Sequence, residues 1–388
     1  MYLRYPNDTR GLMVAEYCRL LRSLGYSVEV VAPGDAKSSS EDEIDGVKIH
    51  RFSYFFPNKF QRLAYGPGIP TNLQKSWLAR IQIPFFAAAF WLKALKVAKK
   101  SDIIHCQWLP PVIVALLIKP LVRRPIVVTV RRVESGRLMR PFSKLALNKA
   151  DLVLYNSTFM KKESEKIAVP KHSMVFHNSL DATKFSPMSK SLARKKLGLP
   201  EDKKIIFYIG HLIEKKGVNY LVEALPDVFA RHPDSLMLIA GYGSDEQMLK
   251  DMVAQRGLDT RVKFIGKIEA DKTPVYYNAA DVFVCPSIID SKGDTETLGV
   301  VVLEAMACET PVVASEVGGI IDSMTEKTGI LTRPKDPGSI SQALNKLLAD
   351  DRLRVMMGKA GRKRVLEKFS DQVICDNIKK AYGSLKRR

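Results

Sequence analysis

Short β-branched runs recur from one end of this chain to the other, and each is followed by a segment with helical spacing. That alternation confines the fold to α/β, with parallel strands joined by helices on both faces of a sheet. In the first half the runs fall at Ser27–Val31, Val47–Phe52, Asp102–Cys106, Ile126–Val130, Leu152–Tyr155 and Met174–Phe176. In the second half they fall at Lys204–Ile209, Leu236–Ala240, Val262–Ile265, Val282–Cys285, Val312–Ala314 and Gly329–Leu331. Two such sets predict two doubly wound sheets. A chain of 388 residues also exceeds what one core usually supports, so two domains follow from length as well. Between the sets, the polar, turn-rich stretch SPMSKSLARKKLGLPEDKK places a linker near Phe185–Lys190.

Two carboxylates stand out against an apolar background. Glu304 has aliphatic or small neighbours from Val300 to Cys308, the pattern of a helix buried on most sides, where a carboxylate needs a partner. With a helix start near Gly299, Glu296 lies in the loop feeding its N-terminus and Glu304 about one and a half turns inside. The amides of Leu298 to Val301 then point into the same opening, a place for an anion flanked by two hydroxyl-seeking carboxylates, which suits a sugar nucleotide. The same residues also fit a surface Glu beside a capped core helix. A second phosphate-seeking element is GHLIEKKGVNYLVEAL, where a strand ends at Gly210 and a helix begins near Val218. Gly210 and Gly217 allow close backbone approach there, and Lys216 reaches toward a diphosphate at the sheet edge.

The motifs GYSVEVVAP, DIIHCQWLPP, PIVVTVRR, ADLVLYNS, HNSLDATKFSP, MLIAGYGSDE, VKFIGKI and NAADVFVCPS stand in order around these two elements. Over essentially its whole length the chain resembles the retaining glycosyltransferases of family 4, also called group 1. The resemblance implies the GT-B fold, two Rossmann-like domains facing across a cleft and closing over the donor. It implies an acceptor-binding domain over 1–185 with a truncated first strand, a nucleotide-sugar domain over 186–368, and a C-terminal helix over 369–388 returning to the first domain. It gives Glu304 the ribose hydroxyls, Glu296 the hydroxyls of the transferred sugar, and Lys216 and His211 the charge of the leaving diphosphate. Gly210, Leu298, Gly299 and Val300 would contact the donor phosphates or sugar, Lys267 and Ile268 the base, and Gly11 the donor phosphate. His105, Arg131 and Arg132, at strand ends, are candidates for the acceptor or a phosphate; a satisfied core histidine and an ion pair of the arginines with Glu134 are the alternatives. No D-x-D occurs, and no metal or other cofactor is expected.

The chain also departs from the family pattern. His211 replaces an Arg and lacks its fork geometry. Gln107 replaces a His, and Glu309 stands where a Gly is usual, so the turn there is either ordinary or strained. Only Gly11 remains of adjacent glycines in the first loop, YPNDTRG, and only Met1 to Tyr5 precede that loop. The expectation is a late start, or a stunted strand over Tyr2–Tyr5.

The net charge of +20 is uneven, since residues 1–190 hold 30 Lys and Arg against 14 Asp and Glu. Such a field attracts anionic membranes, nucleic acid or phosphorylated acceptors. No zinc spacing, RNA-binding aromatic signature or helix-turn-helix is found, so nucleic acid is not expected. Between Ile81 and Ala98, Pro84, Lys93 and Lys96 break the apolar run, which makes it too interrupted to span a bilayer. Ile81, Phe85, Phe86, Phe90, Trp91 and Leu95 against Lys93, Lys96, Lys99 and Lys100 read as a basic amphipathic helix, either docking on lipid headgroups or covering a sheet with a lysine rim. Five scattered cysteines argue for a reducing compartment. The expectation is therefore a cytoplasmic enzyme, peripheral on the inner face of a membrane. It would move a sugar from a UDP- or GDP-linked donor to a hydroxyl of a glycan or lipid-linked acceptor, with retention. A sugar-nucleotide 2-epimerase and a non-catalytic nucleotide-sugar-binding protein are the alternatives.

Overall fold

The computed structural model describes residues 2–5, 11–35, 38–66, 68–132 and 139–386. Along the chain run α1 (Leu12–Ser23), β1 (Glu29–Pro33), β2 (Glu41–Ile44), β3 (Val47–Phe52), α2 (Ile69–Lys75), α3 (Trp77–Ala98), β4 (Ile104–Cys106), α4 (Leu109–Val122), β5 (Ile126–Val130), α5 (Arg140–Lys149), β6 (Leu152–Tyr155), α6 (Thr158–Glu165) and β7 (Ser173–Val175). They continue as α7 (Lys190–Leu197), β8 (Lys204–Ile209), α8 (Val218–Arg231), β9 (Ser235–Ala240), α9 (Glu246–Gln255), β10 (Val262–Gly266), α10 (Thr273–Ala279), β11 (Val282–Cys285), α11 (Val300–Ala307), β12 (Val312–Ser315), α12 (Ile320–Ser323), β13 (Gly329–Thr332), α13 (Pro337–Ala349), α14 (Asp351–Lys368) and α15 (Asp371–Lys386). Every strand read from the two sets of β-branched runs is present, and β2 is an addition.

The chain divides into two units, one of residues 1–156, 160–176 and 375–388, the other of 157–159 and 177–374. These units part after Phe176, and Leu180 and Phe185 belong to the second core, where Leu180 N donates to Phe369 O at 2.8 Å. The end of the chain counts with the first unit from Cys375, within α15.

In the second unit all six strands are parallel, in the order β10-β9-β8-β11-β12-β13. The strands are apolar on both faces because both faces are covered. Ile206 and Tyr208 of β8, with Val282 and Val284 of β11, pack against α8 and α13 through Leu221, Leu225 and Leu344. Their neighbours Ile205, Phe207, Phe283 and Cys285 point the other way, against Tyr277 of α10 and Leu303 and Met306 of α11. This two-residue alternation fixes register, since a one-residue slip would exchange the two cores.

The first unit is less regular than the predicted doubly wound sheet. Parallel β4-β5-β6-β7 form one sheet, and β1-β3-β2 form another in which β2 runs antiparallel to β3. Among the described residues no strand joins them. Tyr2–Tyr5 form no stunted strand: Tyr2 and Leu3 are buried among Cys18, Ala32, Ile44 and Ile49, and Arg51 Nη2 donates to Leu3 O at 2.7 Å. Residues 6–10 of the first loop lie outside the described residues. At the other departure, Glu309 has φ 60, the left-handed region, so of the two turns expected there the strained one occurs.

Candidate functional site

In the second unit the strand order reverses between β8 and β11, since β9 and β10 lie to one side of β8 while β12 and β13 lie beyond β11. Loops leaving the carboxyl ends of two such strands diverge and leave a crevice, the usual ligand position in open parallel sheets. From β8 the chain passes Gly210 and His211 into a single 3-10 turn, Glu214–Lys216, then Gly217 and α8. From β11 it passes Pro286 and Ser287 toward Glu296 and α11.

These loops meet in a buried ion pair between Lys216 Nζ and Glu296 Oε1, with side chains 15% and 13% exposed. Ser287 Oγ donates to the same carboxylate oxygen at 3.2 Å. Burial raises the Glu296 pKa, but the Lys216 charge and hydrogen bond, with Lys215 and Ser287, outweigh it and hold the carboxyl below its ordinary value. Burial likewise opposes the charged form of Lys216, and Glu296 outweighs it, so the ammonium is held above its ordinary value. Both groups are therefore charged at neutral pH.

Neighbouring bonds fix the two loops. Ile288 N donates to Lys215 O at 2.8 Å, Lys215 pairs with Asp294 at 3.2 Å, and Glu214 accepts from Ser291 N and Oγ, each at 2.8 Å. Gly319 N donates to Glu296 O at 2.9 Å. Gly217 has φ 62, and a Cβ there would stand 2.1 Å from the Pro286 carbonyl oxygen. Only glycine lets the β8 and β11 loops approach this closely.

α11 begins at Val300, directly after Gly299, which caps it at φ 74, and Leu298 leads into that cap. Glu304 lies on this helix, and Tyr277 Oη donates to its Oε2 at 2.8 Å. Tyr277 is fully buried, and the sequence reading missed both it and Ser287 as partners of the two carboxylates. The string NAADVFVCPS contains Ser287, but no spacing rule linked it to Glu296. His211 is exposed and packs edge-on against Tyr242, with ring centroids 5.2 Å apart. Lys267 and Ile268 follow β10, the edge strand two places from β8. Among the described residues no group of three His, Cys, Asp or Glu gathers as a metal site.

In the first unit the candidates occupy the carboxyl ends of β4 and β5. His105 is taken up internally, with Nε2 2.8 Å from Thr129 Oγ1 and Nδ1 2.7 Å from Tyr382 Oη of α15. Both ring nitrogens thus have partners within the protein, the arrangement of the satisfied core histidine that was the alternative reading. Arg131 donates to Gln107 Oε1 at 3.2 Å, and burial lowers its pKa while Tyr17 and Glu16 oppose the shift. Arg132 is exposed, Gly11 precedes α1 at φ 86, and Glu134 lies outside the described residues.

Burial, with the Arg131 charge adding to it, pushes the His105 imidazole from 6.5 down to about 3. The unfolded chain takes up this proton below about pH 6.5 and the folded chain does not, so the stability His105 contributes is complete above that pH and declines as pH falls toward 3. A His105→Gln variant is expected to lose about 1.4 kcal/mol per pH unit less than the parent between about pH 6 and about pH 4.5. Urea unfolding at each pH measures this, and parallel losses in both proteins would contradict it.

Comparison with known proteins also gives two parts, which meet between residues 184 and 189. Residues 189–364 match the family described as glycosyl transferases group 1, and residues 11–184 match glycosyltransferase family 4. An uncharacterised glycosyltransferase of Methanocaldococcus jannaschii is 33% identical over 72% of this chain and 74% of its own length. The GDP-mannose-dependent α-(1-6)-phosphatidylinositol monomannoside mannosyltransferase of Mycolicibacterium smegmatis is 32% identical over 69% of this chain and 73% of its own. Among solved structures, sucrose-phosphate synthase from Thermosynechococcus elongatus superposes with a TM-score of 0.80 at 25% identity, covering 98% of this chain and 94% of that one.

Proposed function

The chain belongs to the group 1, family 4 glycosyltransferases of GT-B fold, and from that premise we propose that it transfers a sugar from a UDP- or GDP-linked donor to a hydroxyl with retention of anomeric configuration. The observation that carries this reading is the Lys216–Glu296 pair at the strand-order reversal. An ammonium has three protons, so Lys216 can keep Glu296 and still donate to a diphosphate oxygen. Glu296, held anionic, accepts from hydroxyls of the transferred sugar, and Glu304 accepts from the ribose. Gly210, the amides of Leu298, Gly299 and Val300, and exposed His211 complete the diphosphate contacts, with Lys267 and Ile268 toward the base.

In this reading the acceptor oxygen attacks the anomeric carbon from the face the diphosphate leaves. The carbon–oxygen bond to phosphate breaks, the new glycosidic bond forms, and the acceptor proton passes to the departing phosphate oxygen. Lys216 and the helix amides stabilise the charge that develops there, so the scheme uses no metal or other cofactor. Gly11, Arg131 and Arg132 are the first unit's own candidates for binding a phosphate or the acceptor. A glycan or lipid-linked acceptor suits the basic first half of the chain and the mannosyltransferase relative named for a phosphatidylinositol monomannoside. Cytoplasmic action, peripheral on the inner face of a membrane, is part of the same proposal.

Calorimetric titration with UDP and GDP, followed by transfer assays with each sugar nucleotide, tests the proposal. Glu304→Gln retains an acceptor for buried Tyr277 and removes only charge. It is expected to weaken nucleoside diphosphate affinity about 10- to 100-fold while leaving turnover at saturating donor within a few-fold. Unchanged affinity would remove Glu304 from the ribose site. Donor conversion without any acceptor would indicate an isomerase instead.

A further inference from the structure

Helix α3 has two faces. Its inner stripe covers a sheet: Phe90 stacks on Phe52 with centroids 5.3 Å apart, and Phe86 meets the same ring edge-on at 5.2 Å. Gln82 is fully buried, accepting from Arg62 N at 2.9 Å and donating to Phe60 O at 2.7 Å. Its outer stripe recurs at helical spacing through Ile81, Phe85 and Leu92 to Lys96 and Lys99, all exposed, with Leu92 62% exposed. Phe86, Phe90, Trp91 and Leu95, grouped with Phe85 in the sequence as either lipid-docking or sheet-covering, are at least half covered by the unit itself.

The outer stripe does not stand alone. α3 packs beside α4, and α4 beside α5, so the three helices form one layer of the first unit. α4 adds Leu117 and Leu121, 62% and 60% exposed, and α5 adds exposed Phe142 and Leu145. None of the three helices contains an Asp or Glu. Lys93 and Lys119 pair with carboxylates borne elsewhere, Glu41 and Asp151. Lys96, Lys99 and Lys144 make no ion pair among the described residues.

We propose that α3, α4 and α5 form an interfacial docking face for an anionic lipid bilayer. At 1.5 Å per residue α3 is about 33 Å long, enough to cross hydrocarbon. It is nonetheless held lengthwise by Gln82, Phe86 and Phe90, so it lies in the plane of the interface rather than crossing it. Its outer apolar side chains enter the acyl boundary while the lysines remain among headgroup phosphates. Nucleic acid offers no place for Phe85, Leu92, Leu117 and Leu121. A second copy meeting this face with its own would set lysines against lysines with no carboxylate on either helix layer.

This deepens the peripheral part of the reading above, and its test needs no turnover. The full chain is sedimented with vesicles of phosphatidylcholine alone and of phosphatidylcholine containing phosphatidylglycerol, over a series of salt concentrations. Binding is expected to the anionic vesicles only, weakening as salt rises. Lys96→Glu/Lys99→Glu/Lys144→Glu is expected to lower partitioning at least about 100-fold, on the order of fivefold per charge lost. Phe85→Ser/Leu92→Ser is expected to abolish it, while circular dichroism and UDP or GDP affinity stay at parental values for both variants. No binding to anionic vesicles, or binding that the lysine variant retains, overturns the proposal. So does a dimer in sedimentation velocity that Phe85→Ser/Leu92→Ser dissolves. Unchanged nucleotide affinity in either case leaves the transferase reading standing.

Discussion

Glu296→Gln is expected to lower kcat about a hundred- to a thousandfold while leaving UDP or GDP affinity nearly intact. Gln keeps the side chain's length and an oxygen for the Lys216 and Ser287 hydrogen bonds, so the loops from β8 and β11 remain tied. What it removes is a negative charge that the proposed mechanism uses on the sugar, near the carbon that becomes cationic in the transition state, and losses of this size follow removal of one such group. Lys216→Ala should behave differently, lowering both transfer and diphosphate affinity, because its charge serves the leaving group before and during bond breaking. The pair is buried, so truncating either partner strands the other charge at a cost of about 3–5 kcal/mol. Urea unfolding must therefore accompany the kinetics. Equal loss of turnover and of nucleotide affinity in Glu296→Gln would mean that the roles are assigned to the wrong groups.

Gly217→Ala is expected to destabilise the second unit by about 3 kcal/mol or more and to abolish donor binding. Two effects add at this position: a side chain at φ 62 is disfavoured by about 1 kcal/mol, and the new methyl would lie 2.1 Å from the Pro286 carbonyl oxygen. Gly257 separates the two. It has a similar φ, 64, and nothing within 4 Å of an added Cβ, so Gly257→Ala should show only the conformational part. Comparable unfolding midpoints for the two variants would show that the β8 and β11 loops give way without cost.

The strands were legible because they are buried on both sides, and burial on both sides leaves continuous apolar runs such as Ile126–Val130 and Val282–Cys285. β2 was not, since Glu41-Asp42-Glu43 is a poor strand composition. The Asp45-Gly46 pair that follows it was the available signal, with φ 52 and 71 at the hairpin turn. The linker near Phe185–Lys190 was legible as a polar, turn-rich stretch, and the two family matches meet there, at 184 and 189. That Leu180 and Phe185 pack in the second core was not legible, because nothing local states which core an isolated apolar residue joins.

At the site, the helix start after Gly299 was readable from local chemistry, because glycine there precedes an apolar run. That Lys216 and Glu296 serve one site was implied only by resemblance, and their direct contact was not foreseen. The residues are eighty positions apart, and their meeting depends on strand order, which no local pattern encodes. Tyr277 as the partner of Glu304 was hidden for the same reason, since it comes from the helix before β11. His105 looked like a ligand because it ends a strand at a ligand-binding edge. Its occupation by Thr129 and Tyr382 depends on a C-terminal helix far away in the chain.

The ladder between β8 and β11 is short, with Ile206 opposite Val282 and Phe207 opposite Phe283. Among the described residues it is the one place where the two halves of the second sheet are paired strand to strand, and it closes a long loop of intervening chain. Non-local pairings of this kind form late, after each half has gathered its own local contacts. Competence to hold a ligand should therefore arrive with the last seam of the sheet rather than with its first strands. A ligand bridging the Lys216 and Glu296 loops would in turn act as a clasp on that seam, holding the two halves together in proportion to its concentration.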